Sequence, residues 1–105
     1  MIKVYVDISL FTKDSAFGRI SGHIDVPEVP HIGDLISFPL SPSEEHGGYA
    51  GLLRVAERII PADRAEQIQL SLEDVTVETT DDARRVMAFF EQVCGLFGEP
   101  YGDEE

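Results

Sequence analysis

Residues 79–95 read TTDDARRVMAFFEQVCG, and no other part of the chain carries this period. Ala83, Val86, Met87, Phe90, Val93 and Cys94 recur at helical spacing, with Phe97 just beyond. Arg84, Arg85, Glu91 and Gln92 fall mostly on the opposite side, and Phe89 sits at the border. The spacing predicts a helix over 80–94 whose apolar stripe is core. Thr79 or Thr80 suits the N-cap, because its hydroxyl can accept a free backbone N–H. Asp81 and Asp82 suit the first turn, where the helix dipole favours negative charge. Gly95 suits the left-handed residue that closes the last turn.

Everything before this helix reads as short strands. Over residues 2–10, Ile2, Val4, Val6, Ile8 and Leu10 alternate with Lys3, Tyr5, Asp7 and Ser9. That is a strand with one buried and one wet face. Phe11 to Gly18 reads as a connection. A second strand is expected over 19–26, with Ile20, Ile24 and Val26 on one side and Gly22 marking a bulge, bend or close approach. His23 then falls on the wet side. Pro27 and Pro30 stop the pairing. Gly33-Asp34 turns into a short third strand holding Leu35, Ile36 and Phe38. Residues 39–51, PLSPSEEHGGYAG, form the longest irregular segment.

Residues 52–60 suit a strand with Leu53, Val55 and Ile59 on one side. Pro61 to Arg64 reads as a turn. Between Glu66 and Glu78 the parity changes: Ile68, Leu70 and Leu72 share one phase, Val75 and Val77 the other. The switch at Glu73-Asp74 requires a bulge, a bend or two short strands. The sum is an α+β domain. About five strands form a curved antiparallel sheet or a partly open small barrel, and the helix lies across it. One domain over 1–98 is expected, followed by a flexible acidic tail over 99–105.

Composition bounds the function. The chain has 105 residues, 20 acidic and 8 basic side chains, and a net charge of −12. Four of the twenty acidic side chains are Glu99, Asp103, Glu104 and Glu105, and without them the body carries −8. Nucleic-acid phosphates and anionic membranes need cationic surface, so both are disfavoured as partners. A basic protein partner is favoured. No segment approaches the run of about 20 apolar residues that spans a bilayer. The alternating N-terminus does not read as a signal peptide. A cytoplasmic location is therefore the expectation.

Catalytic constellations are not evident. Cys94 is the single cysteine and sits on the apolar stripe, where a thiol is inert. His23, His31 and His46 lack metal-ligand spacing, and His46 is the most plausible functional histidine among them. Glu44-Glu45, Glu73-Asp74, Asp81-Asp82 and Glu104-Glu105 are adjacent pairs. Neighbours on a strand point to opposite faces and cannot grip a substrate from two sides of a cleft. Gly47-Gly48 lacks the lysine and helix of a phosphate loop. The reading is a non-enzymatic protein with no cofactor and no metal.

The function expected from this character is binding of a basic protein. Its most specific form is an immunity protein or antitoxin that blocks the cationic active site of a toxin nuclease. Glu44, Glu45, Glu57, Glu73, Asp74 and Glu78 are the candidate contacts, with Tyr49 as aromatic anchor. The alternative is a small β-rich assembly module, either a homodimer or a subunit of a larger complex. A third reading makes the 39–51 segment a lid over a small-ligand or catalytic pocket.

Overall fold

Val4, Val6, Ile8 and Leu10 are fully buried, which makes β1 (Ile2–Thr12) the spine of the molecule. A computed structural model describes residues 1–38, 51–62 and 67–101. β1 turns tightly into β2 (Ala16–Val26), and the two pair antiparallel from Ile2↔Val26 to Phe11↔Ala16. The Thr12 hydroxyl accepts the N–H groups of Asp14 and Ser15 at 3.3 Å, so the turn is only 13–15. Phe11, Thr12, Ala16, Phe17 and Gly18 thus belong to strands and not to a connection.

The remaining elements are β3 (Leu35–Ser37), β4 (Leu52–Ile59), β5 (Gln69–Leu72), β6 (Val75–Val77), α1 (Thr80–Val93) and β7 (Phe97–Pro100). The sheet order is β3-β4-β5-β1-β2-β7, with β6 also on β1. The fold is therefore a small α+β domain with a mostly open sheet of seven strands and one helix. Two features correct the sequence reading. The described residues form seven strands, not about five. The sheet is mixed, because β5 and β6 both run parallel to β1.

β5 and β6 are one interrupted strand laid along a single edge of β1. Tyr5 faces Gln69 and Leu10 faces Val75. The β5–β6 strand therefore holds one residue more than β1 over the same length. This excess falls at Glu73-Asp74 and explains the parity switch: Leu70, Leu72, Val75 and Val77 all reach the core. A second irregularity lies in β4 between Val55 and Glu57. It reverses the phase, so Ile59 is 51% exposed instead of sharing the inner side with Leu53 and Val55.

α1 covers the inner face. Thr79 caps it by accepting the Asp82 N–H at 3.0 Å. Ala83, Val86, Met87, Phe89 and Phe90 are buried, so Phe89 is core and not border. Phe90 meets Phe89 and Phe38 edge-on, with ring centroids 5.2 and 5.3 Å away. Fully burying a side chain of this kind stabilises the fold by about 1.5–3 kcal/mol. Gly95 takes φ +71° and lets the chain reverse. Leu96 then enters the core, whereas Phe97 is 64% exposed.

β7 was not visible in the sequence, where 99–105 read as tail. Glu99 and Pro100 pair with Arg19 and Gly18, so the sheet extends to Pro100. Glycine makes this docking feasible. A Cβ on Gly18 would lie 2.6 Å from the Glu99 carbonyl oxygen, and one on Gly98 would lie 2.5 Å from Met87 Cγ. Gly22 likewise admits Leu96, whose Cδ2 would be 2.9 Å from a Cβ there.

Candidate functional site

One helix covers one face of the sheet, and among the described residues no element covers the other. Strand register fixes its composition. Ile59, Gln69, Tyr5 and His23 form one row across β4, β5, β1 and β2. Glu57, Ser71, Asp7, Ser21 and Phe97 form the next row and reach β7. Ser9, Arg19 and Glu99 form a third. The centre is small and polar, and its rim is aromatic. Tyr5 and His23 stack edge-on at 5.2 Å. Asp7 binds Arg19 at 2.8 Å, and this bond holds the Arg19 guanidinium above its ordinary pKa. The wet parity of the first strand announced Tyr5, Asp7 and Ser9. Phe97, Ser21 and Ser71 had no sequence signal, since their placement depends on non-local pairing.

The expected contact residues fare differently. Glu57 lies exposed on this open face. Glu73 and Asp74 lie exposed at the break between β5 and β6, on the strand next to Glu57. Glu73 has a structural task, because its carboxylate accepts the Arg54 N–H at 2.7 Å. Glu78 precedes the helix and sits 4.0 Å from Lys13. Glu44, Glu45 and Tyr49 lie outside the described residues, as does His46.

The described cations are all engaged. Among the described residues, Lys3 pairs with Asp25, Lys13 with Glu78, Arg19 with Asp7, Arg84 with Asp81 and Arg85 with Asp82. Arg54 donates to the Gly33 carbonyl and Arg58 contacts His31 Nδ1. Asp34 and Glu91 spend their carboxylates on the N–H groups of His31 and Gly98. Asp14, Glu28, Glu57, Asp74 and Glu99 remain as carboxylates with no such bond among the described residues: Glu57 lies within β4 and Glu99 within β7, and the other three lie in turns or breaks between strands.

Described residues line three clefts. One, of about 650 Å³, lies between α1 and the β2–β7 edge and is lined by Phe17, Arg84, Glu91 and Tyr101. The other two follow the seam where the sheet fails to close. One of about 310 Å³ is bounded by His23–Val26 of β2, Ile36–Phe38, Val93 and Cys94. Its neighbour, of about 490 Å³, adds Pro27, Glu28, Asp34 and Leu35. The sheet is thus mostly open, with β3 and β7 at the two ends of its strand order.

Cys94 borders the seam. Burial pushes its thiol up to about 11, so little thiolate forms near neutral pH. Among the described residues, no three His, Cys, Asp or Glu side chains assemble to hold a metal. Among the same residues, no helix is long and apolar enough to cross a membrane. No protein-family model matches the chain, nor does any curated protein or solved structure.

Proposed function

We propose that this chain is a non-enzymatic protein-binding protein that engages a basic partner. In its most specific form it is an immunity protein or antitoxin that covers the active site of a toxin nuclease. The observation that carries the reading is the charge balance within the fold. Every described Lys and Arg has an intramolecular partner, while exposed carboxylates remain in excess at a net −12. A nuclease groove must attract phosphates, and the same field draws an acidic inhibitor into place. Charge of this kind acts mainly on the rate of association and on specificity. Glu57 and Asp74 are the contacts it favours, because neither is committed to holding the fold.

The test is affinity capture from the native cells at low and at high salt, followed by kinetics with the captured protein. A basic protein released by salt is the expected result. The double change Glu57→Lys with Asp74→Lys then slows association by about tenfold and flattens its salt dependence. An unchanged association rate overturns the acidic contact surface. If the partner cleaves nucleic acid, an equimolar amount of this chain abolishes cleavage; undiminished cleavage removes the antitoxin form.

One observation favours the alternative, a small β-rich assembly module. Phe97 and Ile59 are 64% and 51% exposed on the same open face. Apolar side chains on an uncovered sheet suit a second subunit. This reading predicts a dimeric mass by light scattering that does not depend on salt.

A further inference from the structure

The open seam has the makings of a strand-binding slot. Val55 donates to the Asp34 carbonyl and Phe38 donates to the Gly51 carbonyl. Residues 34, 36 and 38 therefore face β4, and Leu35 and Ser37 direct their N–H and C=O groups away from it. On the other side, Tyr101 donates to the Phe17 carbonyl, so Phe17, Arg19 and Ser21 face β7. The same alternation points the backbone of His23 and Asp25 past the end of β7. Neither has a backbone partner there among the described residues. Two strand edges that are unpaired among the described residues thus border one cleft.

The walls of that cleft define what fits it. Ile24, Val26, Val93 and Cys94 form a floor that is only partly buried, beside buried Ile36. The mouth carries Asp25, Glu28 and Asp34, with Lys3 as the counter-ion of Asp25. An extended strand in the slot places alternate side chains down on the apolar floor and up toward the carboxylates. β2 and β3 run in opposite directions, so the strand would pair parallel with one and antiparallel with the other. We infer that the seam between β2 and β3 binds an extended segment of the basic partner, one that alternates apolar and cationic residues. The inference rests on the basic-partner reading and gives it a place and a binding mode.

The test uses the full chain, 15N-labelled, titrated with a ten-residue peptide that alternates valine and lysine. Chemical-shift changes are expected at residues 23–26 and 35–38. Amide exchange at His23, Asp25, Leu35 and Ser37 should slow at least about tenfold on saturation. A peptide N-methylated at alternate positions keeps its charge and loses backbone donors on one edge. It should bind at least about tenfold more weakly, the loss expected for one or two hydrogen bonds. Equal binding of the methylated peptide overturns the slot, as do shifts spread over all acidic surfaces. Seam amides already protected in the free protein, with protection that grows with concentration, also overturn it by showing a second copy in the groove. None of these outcomes touches the salt-resolved capture, which decides separately whether a basic partner exists.

Discussion

Glu73 holds Arg54 by two hydrogen bonds. Its N–H donates to the Arg54 carbonyl at 2.9 Å, and its carboxylate accepts the Arg54 N–H at 2.7 Å. β5 has ended at Leu72, so the Arg54 amide would otherwise lose a ladder partner. The side chain substitutes for the missing carbonyl. Glu73→Ala therefore lowers stability by about 1 kcal/mol, the net value of a solvent-accessible hydrogen bond. Glu57→Ala, on an exposed site with no such bond, stays within about 0.5 kcal/mol of the parent. Urea denaturation of the two variants checks the contrast, and equal midpoints would remove the structural role of Glu73. This double duty is also why the charge-reversal test uses Asp74 and leaves Glu73 in place.

The docking of β7 depends on missing side chains. The Cβ of Gly18→Ala would meet backbone atoms, the Glu99 oxygen at 2.6 Å and Pro100 Cα at 2.9 Å. Backbone cannot rotate aside, so β7 must shift or detach. Gly98→Ala would meet Met87 instead, and a methionine can repack. The expected order is Gly18→Ala at about 2–3 kcal/mol and Gly98→Ala at about 1–2 kcal/mol. Melting temperature should fall by about 4–8 °C per kcal/mol in a domain of this size. A reversed order would mean that the Met87 contact, and not the strand pairing, limits the packing.

The elements legible in the sequence were those whose signal is local. The alternation Val4, Val6, Ile8, Leu10 and the stripe Ala83, Val86, Met87, Phe90 each report one buried face, and both faces are buried. The Glu73-Asp74 parity switch was also local, and it became the interruption between β5 and β6. What stayed hidden was partner choice. Nothing near Gln69 says that it lies beside Tyr5, 64 residues earlier, or that the pairing is parallel. β7 was hidden for a related reason. FGEP has a glycine and a proline in four residues and no alternation, and its pairing exists because Gly18 leaves room. The open face inherits this limit: Tyr5 and Asp7 were visible as wet positions, while Phe97 joined them only through β7.

Cys94 gives a pH prediction. Burial raises its thiol from 9.0 to about 11, because the thiolate is disfavoured next to the apolar floor of the seam. The unfolded chain ionises first as pH rises. The protonated thiol therefore favours the folded state fully below pH 9, and this contribution fades as pH rises toward about 11. Cys94→Ala removes that part of the slope. Stability curves of parent and variant should run parallel below pH 9 and converge above it. Reaction with a maleimide at pH 7.5 should be slower than for a free thiol by about tenfold or more. Rapid labelling of the folded protein would contradict the burial of the sulfur.

The free edge of β7 is closed by its own helix. Gly98 directs its N–H outward, and the Glu91 carboxylate accepts it at 3.2 Å. Pro100, two residues on, has no N–H to offer. A strand that added to this edge would find one donor already taken and another absent, which is how natural sheets avoid edge pairing. Glu91→Ala frees the Gly98 amide, and its hydrogen exchange should rise by about tenfold. Glu91→Gln keeps an acceptor and should leave exchange near the parent rate. Sedimentation of Glu91→Ala should match the parent, because a single freed amide on a four-residue strand cannot support a ladder. A dimer formed by Glu91→Ala and absent from the parent would show that this carboxylate alone guards the edge, and would shift weight toward the self-assembling reading.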